Sequence, residues 1–152
     1  MDNFNYYFDN IHLLGIQGMN KKTIQSILKR AQYFNQKKKN RKNKILKDNL
    51  VINLFFENST RTKASFEIAA KSMSADILNI SVSSSSIKKG ETLIDTAATL
   101  NAMHPDFLIL RHPNSGAAEM LSKHVECSII NAGDGRHEHP TQALLDLSLI
   151  HI

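Results

Sequence analysis

Apolar residues fall along this chain in two rhythms. Short unbroken runs, Leu50-Val51-Ile52-Asn53-Leu54-Phe55-Phe56, Ile77-Leu78-Asn79-Ile80, Phe107-Leu108-Ile109-Leu110 and Ile129-Ile130, have the length and β-branched content of buried strands, near residues 50–56, 76–80, 107–110 and 128–131. Between them apolar positions recur every three or four residues. Ile24, Ile27, Leu28 and Ala31 predict a helix that Asn20 caps and that runs to about Phe34. Phe66, Ala69, Ala70 and Met73 predict a second helix over 60–73. Leu93, Ala97 and Leu100 predict a third, opened by Glu91 and closed near Met103 by His104-Pro105. A short helix over 115–123 and a last one begun by Pro140 complete the set, with Gly133-Asp134-Gly135 as a turn. Residues 1–19 read as a lead-in with Leu13 and Leu14 as anchors.

Strands that alternate with helices, and that are apolar throughout, predict an α/β fold: a three-layer sandwich in which a parallel sheet of about four strands carries helices on both faces. Ligands collect at the carboxyl ends of such strands. The polar clusters all fall there: Arg61 past the first strand, Ser81 to Lys89 past the second, Arg111-His112 past the third, Asn131 to Gln142 past the fourth.

Composition changes this picture little. The 152 residues suffice for one domain with a real core, and 41% hydrophobic content argues against global disorder. No run is long enough to cross a bilayer, and Met1-Asp2-Asn3-Phe4 opens no secretory signal. Cys127 is the only cysteine, which excludes an internal disulfide and fits a cytoplasmic protein. The net charge of +5 is concentrated in Lys37, Lys38, Lys39, Arg41, Lys42 and Lys44. That run could attract nucleic acid, but no aromatic interleaves it to stack on a base, so a solvated helix end and loop is the simpler expectation.

The chemistry concentrates in Ser59-Thr60-Arg61-Thr62, between a strand and a helix. A helix start offers unpaired N–H groups and partial positive charge, and here three hydroxyls and a guanidinium join them. The pattern suits a phosphate. It also suits an ordinary cap at Ser59, yet arginine in a first turn opposes the helix dipole unless an anion is bound. Ser85 and Lys89 read equally as a serine-rich linker, Arg111 as a solvated strand end, and His139 to Gln142 as a cap region. Asp134, His137 and His139 could hold zinc, but alternate residues on an extended segment diverge and no fourth ligand is near, so no metal is expected. Cys127 has no neighbouring histidine and reads as a packing residue.

Phe55-Phe56-Glu57-Asn58-Ser59-Thr60-Arg61-Thr62-Lys63-Ala64-Ser65-Phe66-Glu67 resembles the carbamoyl-phosphate signature of the aspartate and ornithine carbamoyltransferases. So do Lys88-Lys89-Gly90-Glu91-Thr92-Leu93, Arg111-His112-Pro113, and Asn131-Ala132-Gly133-Asp134-Gly135 through His139-Pro140-Thr141-Gln142-Ala143-Leu144-Leu145-Asp146-Leu147, in the family's order and spacing. The aspartate branch is the closer match, by the serine loop before Lys88 and by Thr141, where ornithine enzymes usually carry cysteine. Lys63 departs from the family's arginine, keeping the charge and losing the planar fork.

The resemblance implies roles. Ser59, Thr60, Arg61 and Thr62 bind the phosphate, and Arg61 also steadies it as it departs. Thr62, Arg111 and His139 polarise the carbamoyl carbonyl, and Gln142 orients the amide. Ser85 and Lys89 reach into the site of a neighbouring subunit, in a homotrimer with sites at its interfaces. No cofactor or metal is implied. The expected activity is carbamoyl transfer to L-aspartate, a step of pyrimidine biosynthesis. A family catalytic chain is about twice as long as this one, so residues 1–152 correspond to the carbamoyl-phosphate-binding domain, with a C-terminal helix leading to an aspartate-binding domain outside this sequence. The last helix stops at His151-Ile152 without a cap signal, as expected of a chain cut in or just after a helix and inactive alone. An ornithine enzyme, a phosphate- or nucleic-acid-binding module and an inactive structural relative remain as alternatives. Regulation and any regulatory chain are not legible.

Overall fold

A computed structural model describes residues 11–36, 43–81 and 92–150. Its elements run α1 (Lys21–Gln36), β1 (Leu50–Phe55), α2 (Thr60–Ser72), β2 (Asp76–Ser81), α3 (Leu93–Asn101), β3 (Phe107–His112), α4 (Ala117–Ser122), β4 (Ser128–Asp134) and α5 (Pro140–Ile150). The four strands form one parallel sheet in the order β2-β1-β3-β4. β1 pairs β2 on one side, Leu50 opposite Asp76, and β3 on the other, Val51 opposite Phe107. The chain therefore winds outward from β1 to β2, then returns to the far side of β1. That reversal opens a crevice beyond the carboxyl ends of β1 and β3, the standard ligand position of such sheets.

Strand alternation sends each strand's residues to opposite faces. On one face Ile52, Leu54, Leu108, Leu110 and Ile129 pack with Ala97 and Leu100 of α3 and Ala117, Ala118 and Leu121 of α4. On the other, Val51, Phe55, Ile109 and Ala132 meet Ala70 and the half-buried Phe66 of α2. The sandwich is thus three-layered, as the pattern predicts. The lead-in adds a short edge: Leu13 bridges Ile130, donating to the carbonyl of Ile129 at 2.7 Å and accepting from Asn131 at 2.9 Å.

Several boundaries differ from expectation. The third helix is capped by Thr92, whose hydroxyl accepts from the amide of Asp95 while the Asp95 carboxylate accepts from the amide of Thr92. This reciprocal pair places the start at Leu93, not Glu91, and the helix ends at Asn101 rather than Met103. The fourth helix is trimmed to 117–122 by Gly116, at φ 81°. The turn expected at 133–135 begins only at Gly135, because β4 reaches Asp134 across a register shift: Leu110 faces Asn131, but His112 faces Asp134. One extra residue on β4 makes a bulge, and Gly133 at φ 116° supplies the conformation it needs. The α1 stripe is less buried than its spacing predicts. Thr23 is its buried residue, Ile24, Ile27 and Leu28 are half-buried, and Ala31 is exposed, because α1 lies against α5 rather than on the sheet. Ala69 on α2 is also exposed. The basic run falls outside the described residues except for the exposed Lys44.

Candidate functional site

The first component of the site is the start of α2. Ser59 lies at the cap position with extended backbone, φ −137° and ψ 88°, yet its hydroxyl makes no capping bond. The first turn holds no acidic residue. Thr60 and Arg61 are exposed, and Ser59 and Thr62 are half-buried. The helix therefore begins with its positive end uncompensated by its own side chains, an arrangement suited to holding an anion. Lys63 donates to the Ser81 hydroxyl at 3.1 Å, which ties α2 to the end of β2.

The second component is Arg111, at the end of β3 and opposite Phe55. Its carbonyl accepts from the amide of Phe56 at 2.9 Å, which ties the exit of β1 to β3. The guanidinium donates from Nη1 to the Ala132 carbonyl at 3.0 Å, and its Nε lies 3.3 Å from Glu57, an ion pair without a well-directed hydrogen bond. Glu57 lies four residues before Arg61 in sequence, so Arg111 and the start of α2 share one edge of the sheet.

The third component is the segment from the bulge to α5. A Cβ built on Gly133 would stand 2.8 Å from Arg111 Nη1 and 3.3 Å from His139 Cδ2. The missing side chain is thus what allows the guanidinium and the imidazole to approach one another. Their proximity has an electrostatic signature: burial, then the Arg111 charge, hold His139 below its ordinary pKa. The imidazole is therefore neutral near pH 7, and the Thr141 hydroxyl lies 3.4 Å from its Nδ1. In the tautomer in which that hydroxyl donates to Nδ1, Nε2 carries the proton and is a donor. Gln142 begins α5 on the same segment, but its amide donates along the helix to Asp146 at 2.9 Å. Ser85 and Lys89 lie outside the described residues.

Three site features were not anticipated: the Glu57–Arg111 pair, the Gly133 contact and a buried polar knot around Asp134. Asp134 is 2% exposed, and its carboxylate accepts from Asn131, Gly116, Glu138 and His137. Burial pushes this carboxyl up, but those bonds outweigh it and hold it below the usual aspartate value. An Asn and an Asp three apart around a glycine, in a turn-forming composition, was the available signal. Among the described residues no group of three His, Cys, Asp or Glu is placed to hold a metal ion. At the opposite edge, Asn101, His104, Pro105, Glu126 and Cys127 line a cavity of about 220 Å³. There burial raises the Cys127 thiol, which disfavours the reactive thiolate.

The model of the aspartate/ornithine carbamoyltransferase carbamoyl-P binding domain matches residues 11–151. This chain belongs to that family. It is 60% identical over 141 residues to the aspartate carbamoyltransferase catalytic subunit of Parvibaculum lavamentivorans, covering 91% of this chain and 43% of the relative. It is 56% identical over 137 residues to that of Rhodospirillum rubrum, covering 89% and 43%. Among solved structures, aspartate transcarbamoylase from Trypanosoma cruzi in complex with carbamoyl phosphate and aspartate superposes with a TM-score of 0.85 at 36% identity, covering 92% of this chain and 44% of that one. The catalytic subunit from M. Jannaschii gives 0.85 at 39%, covering 93% and 46%. The chain thus spans less than half the length of these relatives and matches the carbamoyl-phosphate domain of the carbamoyltransferases. No helix among the described residues is long and apolar enough to cross a membrane.

Proposed function

We propose that this chain is the carbamoyl-phosphate-binding half of an aspartate carbamoyltransferase catalytic chain, acting in the cytoplasm in pyrimidine biosynthesis. The carrying observation is the convergence of Arg111 and His139 over Gly133, beside the uncapped start of α2. Ser59, Thr60, Arg61 and Thr62 take the phosphate. Thr62, Arg111 and His139 donate to the carbamoyl oxygen, and Gln142 leaves Asp146 to hold the amide. The α-amine of L-aspartate, delivered by a second domain, attacks the carbonyl carbon. Negative charge gathers on the carbonyl oxygen, where the donors already stand. The carbon–oxygen bond to phosphate breaks, the amine loses a proton, and N-carbamoyl-L-aspartate and phosphate leave. The work is alignment and charge stabilisation, so no covalent intermediate or cofactor is called for. Ser85 and Lys89 complete the site from a neighbouring subunit of a homotrimer.

Calorimetry on the folded chain tests the binding half: carbamoyl phosphate releases heat, and its absence would sink the proposal. Supplying the full-length protein with aspartate or ornithine tests the other half. Formation of carbamoyl aspartate supports it, and citrulline would reassign the chain to the ornithine branch, against the threonine at 141.

A further inference from the structure

The knot around Asp134 has a geometry that its packing alone does not require. Its two carboxylate oxygens divide four donors between two loops. Oδ1 accepts from Asn131 Nδ2 at 3.0 Å and the Glu138 amide at 3.0 Å, and Oδ2 accepts from the Gly116 amide at 2.8 Å and lies 3.3 Å from His137 Nδ1. No lysine or arginine is among these partners, and His137 is half-exposed. Burying a carboxylate without a strong cation is costly, and it persists where its hydrogen bonds organise something. What these organise is specific. The Glu138 peptide is gripped on both sides, because its carbonyl also accepts from the Asp134 amide at 3.1 Å. The next residue is His139. The Gly116 amide belongs to the loop that leaves Arg111. Asn131 anchors the knot in turn, donating to the Leu14 carbonyl at 2.8 Å and accepting from the Gly133 amide at 2.9 Å.

We infer that Asp134 is a positioning residue: its buried carboxylate locks the peptide before His139 and the loop after Arg111, so that both carbonyl-binding groups stand ready before carbamoyl phosphate arrives. This rests on the proposed carbamoyl-phosphate site. It predicts a division of labour, because inorganic phosphate needs only the start of α2, whereas carbamoyl phosphate needs the carbonyl donors as well. An asparagine at 134 keeps the shape but turns an NH2 toward one pair of donors, breaking the bond to either the Glu138 amide or the Gly116 amide.

The test titrates the folded chain with each ligand and records its imidazole ¹H–¹⁵N spectrum. Asp134→Asn is expected to weaken carbamoyl phosphate by at least about tenfold, as loss of a positioning contact does. Inorganic phosphate should stay within about twofold, as for an independent site. His139 resonances should move in the folded variant, which simple loss of stability does not cause. Equal weakening of both ligands, or unchanged ligand binding and His139 resonances, overturns the inference. If Asp134→Asn does not fold, Asn131→Ala, which leaves the carboxylate and removes one of its donors, should give the same selective loss to a smaller degree. If neither folds, Asp134 serves the fold alone and the inference fails. A wild-type chain that ignores carbamoyl phosphate sinks the proposed function instead, and the His139 spectrum still decides the positioning.

Discussion

The two halves of the proposed carbamoyl-phosphate site are built by opposite means. The phosphate end is four consecutive residues, 59–62, at the start of one helix, and its key hydroxyl and guanidinium carry few internal bonds. The carbonyl end draws Arg111 from β3, Gly133 from the bulge and His139 from the approach to α5; Arg111 is bonded to the Ala132 carbonyl, Gly133 to the Asn131 side chain, and the peptide before His139 to Asp134. Under the proposed function the difference follows from the chemistry of carbamoyl phosphate. A phosphate brings charge enough to order loose donors around it. A neutral carbonyl gains little from each hydrogen bond, so the entropy of arranging its donors has to be met in folding rather than in binding.

That contrast can be broken at either end. The largest effect is expected from Arg61→Ala in the full-length protein: turnover lost by about 100- to 1,000-fold, as when a charge-stabilising donor is removed, with the fold intact by circular dichroism. Retention of more than about a tenth of activity would remove Arg61 from the mechanism. Next comes Gly133→Ala. Its φ of 116° and the 2.8 Å approach to Arg111 predict destabilisation of about 1–3 kcal/mol, and weaker carbamoyl phosphate with phosphate binding spared. A denaturant titration that leaves stability unchanged would show that the bulge relaxes freely.

A smaller pair separates capping from binding. Thr92 caps α3 with a reciprocal bond, so Thr92→Ala should cost about 1 kcal/mol and leave ligand affinity alone. Ser59 caps nothing, so Ser59→Ala should change stability by less than about 0.5 kcal/mol while weakening phosphate. The reverse pattern would make Ser59 a mere cap. The smallest effect is on pH. His112 is held below its usual value of 6.5 by burial, and His139 by burial and by Arg111. The unfolded chain then binds protons that the folded chain refuses, so stability is fully present above about pH 6.5 and falls as pH drops toward the folded values. Melting should therefore come earlier at about pH 5.5 than at about pH 7.5, with a shallower slope in His139→Gln. A flat profile would mean that neither imidazole is perturbed.

How much was legible in advance tracks how local each feature is. The four strands and the helix start after 59 depend on neighbours a few residues away, while the roles of Arg111, His139 and Gln142 are proposed from the family resemblance. The Asp134 knot was not legible. Asp134 looked like a possible metal ligand in a turn: Asn131 is close in sequence, but Gly116 becomes its partner only when the loop before α4 packs against β4. Thr92 displaced Glu91 as the start of α3 because a capping box needs two side chains to agree, and apolar spacing reports neither.

By itself the sequence determined the alternation of elements, the parallel sheet and the helix start that follows Ser59, since these follow from side-chain periodicity and from which residues can begin a helix. Only the tertiary structure decided the strand order, which sets β3 beside β1 and so brings residue 111 to the edge where residue 61 begins α2. It also decided the bulge, which removes a side chain where guanidinium and imidazole meet. Both depend on contacts between segments tens of residues apart, and the free energy of those contacts exists only once the core has closed around them.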